Sequence, residues 1–332
     1  MNILWIKDGK KGHEKQVKAL LEEISKAISI KVYEENYYIS STKRFFDVFH
    51  HATSYIFKKY DNCDILKSYN QNDIHLIIGA GSNTHARIVL LKRMLKNSFN
   101  KNIIAISVLT PSFFKNQFDF ICAPRHDSGK WKNCTNTLFF NGSLAKVSTQ
   151  DPDDHIGLIG IGGINKHYQF DESDLIKQIE YVLTLYPKIN WHLFPSRRTP
   201  DSMINKIKAL SNSFSNLIIS YENFDEIIKQ ASIKFITQDS VNMIYESLST
   251  KGQSFVFNMK YRTENKITKQ LVDMIKNKQI GYIENTSMSD GLQKTKIQPQ
   301  NPCSDVFAEV EKLSYKLTEK LKTYKWELHI LS

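Results

Sequence analysis

The stretch "IHLIIGAGSNTHARIVLLKRMLK" (74–96) contains the pattern that decides the fold. Residues 74–78 form a mainly apolar run of strand length, interrupted by His75, and the glycine-rich loop "GAGSN" (79–83) follows it directly. Thr84 then starts a pattern in which apolar residues recur every three to four positions, as in an amphipathic helix. A strand, a glycine loop and a helix in succession are typical of a parallel α/β sheet.

The same order of elements recurs along the chain. In the first half, "ILWI" (3–6), "NIIAISVL" (102–109) and "FDFICAP" (118–124) are predicted strands, and "EKQVKALLEEISKAI" (14–28) is a predicted helix. In the second half, predicted strands and helices alternate from "IGLIGIGG" (156–163) to "QSFVFN" (253–258). Each half is therefore expected to form a parallel sheet covered by helices on both faces.

The length of 332 residues suits two domains of about 150 residues each. The polar stretch "STQDPDDH" (148–155) lacks periodicity and is the predicted linker. We therefore expect an α/β protein with two Rossmann-like domains that face each other across a cleft. The expected domains are residues 1–150 and 151–304, and the segment 305–332 is expected to form a helix that crosses back to the first domain.

The composition restricts the possible partners. The formal net charge of +11 should attract phosphates, nucleic acid or anionic lipid. Between His85 and Lys132 nine Lys and Arg residues stand against two Asp, which predicts one basic face. The sequence contains no zinc-finger spacing, no RNP-type strand motif and no basic-zipper heptads, so nucleic-acid binding is disfavoured.

The four cysteines are scattered without a C-x-x-C pair, which argues against a zinc site or a disulfide framework and favours a reducing compartment. They are Cys63, Cys122, Cys134 and Cys303. The sequence has no signal-peptide core and no run of about 18 apolar residues, so we expect a cytoplasmic protein with at most peripheral contact at the inner face of the membrane. The aromatic stretch "KRFFDVFHHATSYIFKKY" (43–60) is expected to pack in the core or, if exposed, to form an interfacial helix.

Ligands of open parallel sheets bind beyond the carboxyl ends of the strands. In "DGKKGH" (8–13), Gly9 and Gly12 permit either a tight turn or a close approach to an anion, and His13 lies at the start of a helix. "GAGSNT" (79–84) lacks the third glycine of a dinucleotide fingerprint, so a nicotinamide cofactor is disfavoured. His126 and Asp127 follow another strand and either line the cleft or close a turn.

Three further loops follow strands of the second half. In "IGIGGINKHY" (159–168), the glycines either permit packing or expose backbone amides to a ligand. In "FPSRRTP" (194–200), the arginine pair suits bidentate binding of phosphate, although a solvated surface pair is the alternative. In "ITQDSVNMIYESLSTKG" (236–252), Asp239 and Ser240 are candidate helix caps, and the carboxylate of Glu246 suits both hydroxyls of a ribose. The Asp-x-Asp of "DPDD" (151–154) precedes a strand, so we assign it to the hinge and predict no metal site.

The motifs "DGKKGHEKQ", "IIGAGSNTHA", "FDFICAPRHD", "IGGINKHY", "PSRRTP" and "ITQDSVNMIYESLSTKGQSFVF" occur in this order over about 250 residues and resemble the mitochondrial-fission ELM family. This family is similar to GT-B glycosyltransferases. The resemblance implies two Rossmann-like domains with a nucleotide-sugar site mostly in the second. The last motif looks like the donor helix of lipid-II-forming N-acetylglucosaminyltransferases, which implies that Glu246 binds a ribose. "DGKKGH" looks like the N-terminal glycine loop of such enzymes, which implies that His13 lies near the reacting groups.

The resulting hypothesis is a metal-independent glycosyltransferase that uses a nucleotide-diphosphate sugar, no cofactor, and an acceptor that is lipid-linked or part of a surface glycan. Asp8 or His13 is the expected general base, and an anionic membrane surface is an expected partner. The expected donor-binding residues are Gly162, Gly163, Asn165, Ser196, Arg197, Arg198, Thr199, Asp239, Ser240, Asn242, Met243 and Glu246. The expected acceptor-side loop residues are Gly9, Lys11, Gly12, Gly79, Gly81, Ser82, Thr84, His126 and Asp127. The alternatives are a sugar-nucleotide epimerase or hydrolase of the same fold and a non-catalytic membrane-associated adaptor.

Overall fold

The computed structural model describes residues 1–37, 46, 49, 69, 72–112, 114–130, 135–287, 293–301 and 306–326. The chain divides into two compact units. The first comprises Met1–Lys146 and Glu309–Ser332, and the second comprises Val147–Ala308. Each unit is built on its own largely parallel sheet, which confirms the predicted α/β class with two Rossmann-like regions.

The first unit contains a six-stranded sheet in which all neighbouring strands are parallel. Its strands are β1 (Asn2–Lys7), β2 (Lys31–Asn36), β3 (Leu76–Ala80), β4 (Ile104–Val108), β5 (Phe120–Pro124) and β6 (Thr137–Phe140). They lie in the order β2-β1-β3-β4-β5-β6. Strands β3, β4 and β5 are buried along their whole length, which explains why each is a continuous apolar run rather than an alternating one.

Helices follow the first and third strands directly. They are α1 (Lys11–Ser25) and α2 (Ser82–Phe99). Helix α1 buries the four residues whose spacing predicts it, Val17, Leu20, Leu21 and Ile24. The C-terminal helix Glu309–Trp326 also belongs to this unit and lies against α1 and β6. Its Glu309 carboxylate accepts the backbone N–H of Asn141 at 2.8 Å, which ties the helix to the end of β6.

The second unit contains a seven-stranded sheet. Its strands are β7 (Asp153–Ile161), β8 (Asn190–Pro195), β9 (Leu217–Ile219), β10 (Ala231–Ile236), β11 (Gln253–Val256), β12 (Gly281–Ser287) and β13 (Gln293–Gln298). They lie in the order β13-β12-β11-β10-β7-β8-β9, and only the β12–β13 pair is antiparallel. Phe235 and Phe255 stack in the core with ring centroids 4.8 Å apart. The Trp191 ring fills the space above Gly157, where a Cβ would lie 2.6 Å from it.

The helices of the second unit are α3 (Glu172–Leu185), α4 (Asp201–Ser213), α5 (Phe224–Gln230), α6 (Val241–Leu248) and α7 (Lys266–Lys276). Local chemistry explains where two of them begin. The Asp171 carboxylate accepts the N–H groups of Ser173 and Asp174 and so caps α3. Asn265 and Thr268 form a capping box at the start of α7, each side chain accepting the other residue's backbone N–H.

The structure corrects the extent of the predicted linker. Strand β7 begins at Asp153, so residues 153–155, including half of the "DPDD" segment, belong to the sheet. The sequence patterns also do not predict β2, β12, β13 or α7. Strand β2 is one edge of the first sheet and β13 is one edge of the second, and both are rich in charged and polar residues, so they lack the apolar run by which the buried strands are recognised.

Some sequence predictions lie outside the described residues. The aromatic stretch 43–60, apart from residues 46 and 49, is one of them, and Cys63, Cys134 and Cys303 are others. Cys122 is described, and it is a buried free thiol. Among the described helices, none is both long enough and apolar enough to span a membrane.

Candidate functional site

The sheet order of the second unit places a crevice between β7 and β10. From β7 the chain proceeds through β8 and β9 on one side, and then returns to β10 on the other side. Two loops that leave neighbouring strands in opposite directions separate at such a switch point and leave room for a ligand at the carboxyl ends of the strands. The "GGINKHY" loop follows β7 and the "TQDS" turn follows β10, so the sequence-predicted motifs meet at this crevice.

Asp239 joins the loops around the crevice. Its Oδ2 accepts the backbone N–H of Gly163 at 2.8 Å and a hydrogen bond from Arg198 Nη2 at 3.0 Å. Gly162 donates its N–H to Thr237 Oγ1 at 2.7 Å. These contacts connect the loops that follow β7, β8 and β10.

The close approach of these loops explains the glycine pair. A Cβ on Gly162 would lie 2.2 Å from Asp239 Oδ2, and a Cβ on Gly163 would lie 2.0 Å from the carbonyl oxygen of Arg198. Neither position has room for a side chain. Packing of loop against loop therefore requires these glycines.

The structure corrects the capping interpretation of Asp239 and Ser240. Neither side chain caps α6, because the Asp239 carboxylate is engaged by Gly163 and Arg198 and the Ser240 hydroxyl makes no capping hydrogen bond. The first turn of α6 therefore has no side-chain cap from the two residues before it. A helix start of this kind carries unsatisfied donors and the positive end of the helix dipole.

The loop after β8 is held by its own hydroxyl groups. Ser196 Oγ donates to the carbonyl of Gly162 at 2.7 Å and accepts the N–H of Arg198 at 3.1 Å. Thr199 Oγ1 accepts the N–H of Ser196 at 2.8 Å and is itself buried. Ser196 and Thr199 thus hold Arg198 in position. Arg197 is exposed and forms no hydrogen bond or ion pair with the described residues.

A cavity of about 440 Å³ opens at this point. It is lined by Asn165, Lys166, His167, Tyr168, Arg198, Asp239, Ser240, Val241, Asn242 and Ile267. The sequence motifs predict five of these residues but not Lys166, His167, Tyr168, Val241 and Ile267. The first three stand in the quoted "INKHY" motif, but no periodicity or charge pattern distinguishes them, and Ile267 belongs to the unpredicted α7.

The remaining predicted donor residues lie on α6. Asn242 lines the cavity, and Glu246, one turn further along, lies on the same helical face and is partly buried. Met243 points to the other side, where it packs on the core beside Gly160. Its neighbours are therefore apolar core residues rather than the lining of the cavity.

Burial shifts the pKa values of two groups in this cavity, Asp239 and His167. Burial raises the pKa of Asp239 above its ordinary value and outweighs the opposing effects of the Gly163 N–H, the Thr237 hydroxyl and the Arg198 guanidinium. Its Oδ1 is buried and has no hydrogen-bond partner among the described residues. Burial and the charge of Lys166 lower the pKa of His167, so this ring is neutral at neutral pH.

The first unit has an equivalent switch point between β1 and β3, and Asp8 and His13 lie there. Asp8 Oδ2 and His13 Nδ1 are 2.8 Å apart, and the Asp8 side chain is 1% exposed against 23% for His13. Gly81, which follows β3, has a φ of +83°, and a Cβ on it would lie 2.3 Å from the His13 ring. Both features require glycine at this position.

Hydrogen bonds orient this pair. Burial alone would raise the pKa of Asp8, but the hydrogen bond and charge of His13, together with the backbone N–H of Lys10, hold it below its ordinary value. Asp8 is therefore ionised and accepts a hydrogen bond from Nδ1–H. The ring nitrogen Nε2 has no hydrogen-bond partner among the described residues. In the neutral imidazole the proton is on Nδ1, so Nε2 carries a lone pair that can accept a hydrogen bond.

Several other predicted residues of the first unit form hydrogen bonds that stabilise its loops and helix starts. Thr84 Oγ1 donates to the carbonyl of Gly81 at 3.0 Å, and the Gly12 carbonyl accepts a hydrogen bond from Gln16. Asp127 accepts the hydroxyl of Thr110 at 2.7 Å, so it joins two loops rather than the Asp8 and His13 pair. The other members of this predicted set have the following locations: Gly9 directly follows Asp8, Lys11 begins α1, Gly79 lies in β3, Ser82 begins α2, and His126 stands beside Asp127 on a 3-10 turn.

No group of three or more His, Cys, Asp and Glu side chains suited to a metal ion occurs within the described ranges.

Comparisons with known proteins identify the family of the chain and structures of similar fold. The model of a family described as mitochondrial fission ELM1 matches residues 11–312. No curated protein sequence matches the chain.

Solved structures are similar in fold at low sequence identity. The UDP-GlcNAc 2-epimerase of Methanocaldococcus jannaschii is 11% identical with a TM-score of 0.50, and the match covers 96% of this chain and 100% of that chain. The S. aureus MnaA–UDP structure is 9% identical with a TM-score of 0.52, and the match covers 97% and 88% of the two chains. The pneumococcal O-GlcNAc transferase GtfA, in complex with UDP and GlcNAc, is 10% identical with a TM-score of 0.44 over 80% of this chain and 60% of that chain.

Proposed function

Because the chain belongs to the mitochondrial fission ELM1 family and is similar in fold to a UDP-GlcNAc 2-epimerase and to a protein solved with UDP, we propose that it binds a nucleotide-diphosphate sugar. We propose further that it transfers the sugar to an acceptor hydroxyl. The observation that carries the proposal is the arrangement at the switch point of the second unit. There Arg198 and the uncapped start of α6 border one cavity at the carboxyl ends of β7 and β10.

The diphosphate is the part of the ligand for which this arrangement is best suited. The Arg198 side chain is 44% exposed and borders the cavity, so its planar guanidinium is accessible for two parallel hydrogen bonds to phosphate oxygens. The start of α6 adds N–H donors and a positive dipole end, and the Ser240 hydroxyl adds one more donor. In the transition state these groups would stabilise the negative charge that develops on the leaving nucleoside diphosphate.

The nucleoside would extend along the face of α6 that carries Asn242 and Glu246. The two side chains are four residues apart, so they lie one above the other on the helix. A carboxylate is a suitable acceptor for both hydroxyls of a ribose. The cavity volume of about 440 Å³ is within the range of small-molecule sites.

Sugar transfer also requires a base for the acceptor, and we assign this role to His13. The ionised Asp8 holds Nδ1–H, so Nε2 presents a lone pair that takes the proton of the acceptor hydroxyl. The acceptor oxygen then forms a bond to the anomeric carbon, and the bond from that carbon to the diphosphate oxygen breaks. The electron pair of the broken bond leaves with the nucleoside diphosphate, so no metal ion is needed to balance the step.

The acceptor proposed here is lipid-linked or part of a surface glycan. The formal net charge of +11 supports an encounter with an anionic membrane surface at which such an acceptor is found. Vesicles that contain anionic lipid should retain the protein in a flotation assay at low salt and release it at high salt. Absence of binding at low salt would remove the membrane part of the proposal.

A sugar-nucleotide epimerase is the second candidate, because the UDP-GlcNAc 2-epimerase of Methanocaldococcus jannaschii matches 96% of this chain at a TM-score of 0.50. The two candidates differ in their need for an acceptor. Incubation of the purified protein with UDP-GlcNAc alone, followed by chromatography of the products, separates them, since an epimerase converts the sugar without any acceptor. Both candidates require that the protein binds a nucleotide sugar, and calorimetry with UDP and a panel of UDP-sugars tests this binding. Failure to bind any of them would refute both candidates.

A further inference from the structure

We propose that nucleotide binding at this site is coupled to the uptake of one proton by Asp239, because Arg198 exchanges the Asp239 carboxylate for the phosphate groups of the ligand. This inference rests on the proposed nucleotide site in the second unit, and it does not depend on which reaction follows.

In the structure the Asp239 carboxylate accepts hydrogen bonds from the kinds of donor that a phosphate oxygen would use. Its Oδ2 receives one backbone N–H, from Gly163 at 2.8 Å, and one guanidinium N–H, from Arg198 at 3.0 Å. Both Asp239 and Arg198 border the cavity. A phosphate that enters the cavity therefore competes directly with Asp239 for Arg198.

The two partners differ in their freedom to move. The Asp239 side chain is 0% exposed and fixed beneath the glycine loop, whereas the Arg198 side chain is 44% exposed. Arg198 can therefore turn toward a ligand by a change of side-chain rotamer, while Asp239 cannot follow it. After this exchange the buried carboxylate retains the Gly163 N–H but has lost its counter-ion.

The charges around Asp239 determine whether its carboxylate takes up a proton. The loop after β7 contributes Lys166, His167 and Tyr168 to the cavity, and the loop after β8 contributes Arg198. The cavity residues from α6 and α7 are Val241, Asn242 and Ile267, which do not titrate. Among the described residues, Arg198 is the only cation that forms an ion pair with Asp239. Binding of a diphosphate removes the positive charge of Arg198 from Asp239 and brings negative charge close to it. Both changes, together with the burial of Asp239, favour the neutral carboxyl.

The proton has a defined location on the acid. Oδ2 remains the acceptor of the Gly163 N–H, so the proton binds to Oδ1, the buried oxygen without a partner among the described residues. The sign of the pH dependence follows from this uptake. Affinity should fall as pH rises, by up to about tenfold per pH unit where uptake is complete.

The test is calorimetric titration with UDP-GlcNAc, whose diphosphate diester does not titrate near neutral pH. Titrations at one pH in several buffers of different ionisation enthalpy, without phosphate, give the number of protons taken up from the slope of observed enthalpy against buffer enthalpy. We expect a positive uptake that approaches one proton for the wild type. Asp239→Asn and Arg198→Gln should bind with no uptake, and circular dichroism and thermal melting verify that each variant is folded.

The outcomes separate the inference from the function on which it rests. Binding of UDP-GlcNAc by the wild type without proton uptake would overturn the exchange and leave the nucleotide site intact. Uptake that persists in Arg198→Gln would also overturn it, because the exchange of that residue would then not be its cause. If neither UDP nor UDP-GlcNAc binds the wild type, the proposed function fails and the exchange fails with it. If Asp239→Asn does not fold, the comparison of wild type with Arg198→Gln decides.

Discussion

The Oδ2 atom of Asp8 lies 2.8 Å from Nδ1 of His13, and this contact joins the end of a buried strand to the first turn of the helix that follows it. The contact fixes which ring nitrogen carries the proton. A buried carboxylate that orients an accessible imidazole is a common means of making a histidine act as a base.

Replacement of Asp8 by Asn should therefore reduce turnover while nucleotide binding is retained. The amide can hold the ring in the wrong tautomer, and the expected loss in kcat is about 10²- to 10⁴-fold. His13→Ala should lose a similar factor, whereas His155→Ala, at an exposed position in the second unit, should have no effect. The measurements are initial rates and UDP affinity for each variant, and equal rates for wild type and His13→Ala would exclude His13 as the base.

The two adjacent arginines provide a matched pair. Arg198 borders the cavity and bonds Asp239, while Arg197 is exposed and forms no hydrogen bond or ion pair with the described residues. Arg198→Ala should weaken UDP binding by about 10- to 100-fold, the size of a charge-assisted hydrogen bond to phosphate. Arg197→Ala should leave the affinity within about twofold. Calorimetry with UDP measures both, and the reverse order of effects would contradict the assignment.

Glu246 is expected to accept hydrogen bonds from the ribose hydroxyls. The wild type should bind UDP more tightly than 2′-deoxy-UDP, because one hydroxyl contact to the carboxylate is missing in the deoxy ligand. Glu246→Ala should bind the two ligands equally, with a loss for UDP of about 10-fold. Glu226→Ala on α5 should retain the preference of the wild type. A Glu246→Ala variant that still prefers UDP would show that another residue contacts the ribose.

Gly163 should not tolerate a methyl group. A Cβ there would lie 2.0 Å from the Arg198 carbonyl oxygen and 2.7 Å from the Thr199 nitrogen, so the loops would have to separate. Gly163→Ala should lower the free energy of unfolding by about 1–3 kcal/mol and weaken UDP binding. Gly129→Ala is the control, since no atom of the described part of the chain lies within 4 Å of a Cβ at that position. Urea denaturation and calorimetry measure the two effects.

Lys234 should make stability depend on pH. It is completely buried, and its Nζ donates to the carbonyls of Ser247 at 2.9 Å and Lys251 at 2.6 Å and to the Thr250 hydroxyl at 2.7 Å. Burial lowers the pKa of Lys234 to about 7. The unfolded chain holds this proton up to the ordinary lysine pKa of about 10.4. Between these values the unfolded state binds more protons, so the free energy of unfolding should rise with pH, by at most about 1.4 kcal/mol per unit.

Lys234→Met isolates this contribution. The variant should lose the rise of stability above pH 7, and it should be less stable than the wild type because the carbonyls of Ser247 and Lys251 lose their buried donor. Urea denaturation of both proteins from pH 6 to pH 10 gives the two curves. Parallel curves would mean that Lys234 titrates at the same pH in the folded and unfolded chains.

The sequence predicts the buried part of the fold well, because β3, β4 and β5 are apolar runs that are followed by loops or helices. It does not predict the edge strands β2 and β13, since their residues are mainly charged or polar and carry no apolar pattern. Site prediction fails where a distant partner determines the role of a residue. Asp239 has the local chemistry of a helix cap, yet its carboxylate bonds Gly163, 76 residues earlier in the chain. Local propensity contains no information about such a partner.

The first unit is discontinuous in the chain, and this has a consequence during synthesis. Its C-terminal helix begins at Glu309, and the hydrogen bond from Asn141 to Glu309 spans 168 residues. On the ribosome the second unit emerges completely before this helix does. The closing of the first unit therefore waits for the synthesis of the second, so a nascent chain paused after residue 308 should expose the apolar surface of α1 and β6 to chaperones or to proteases.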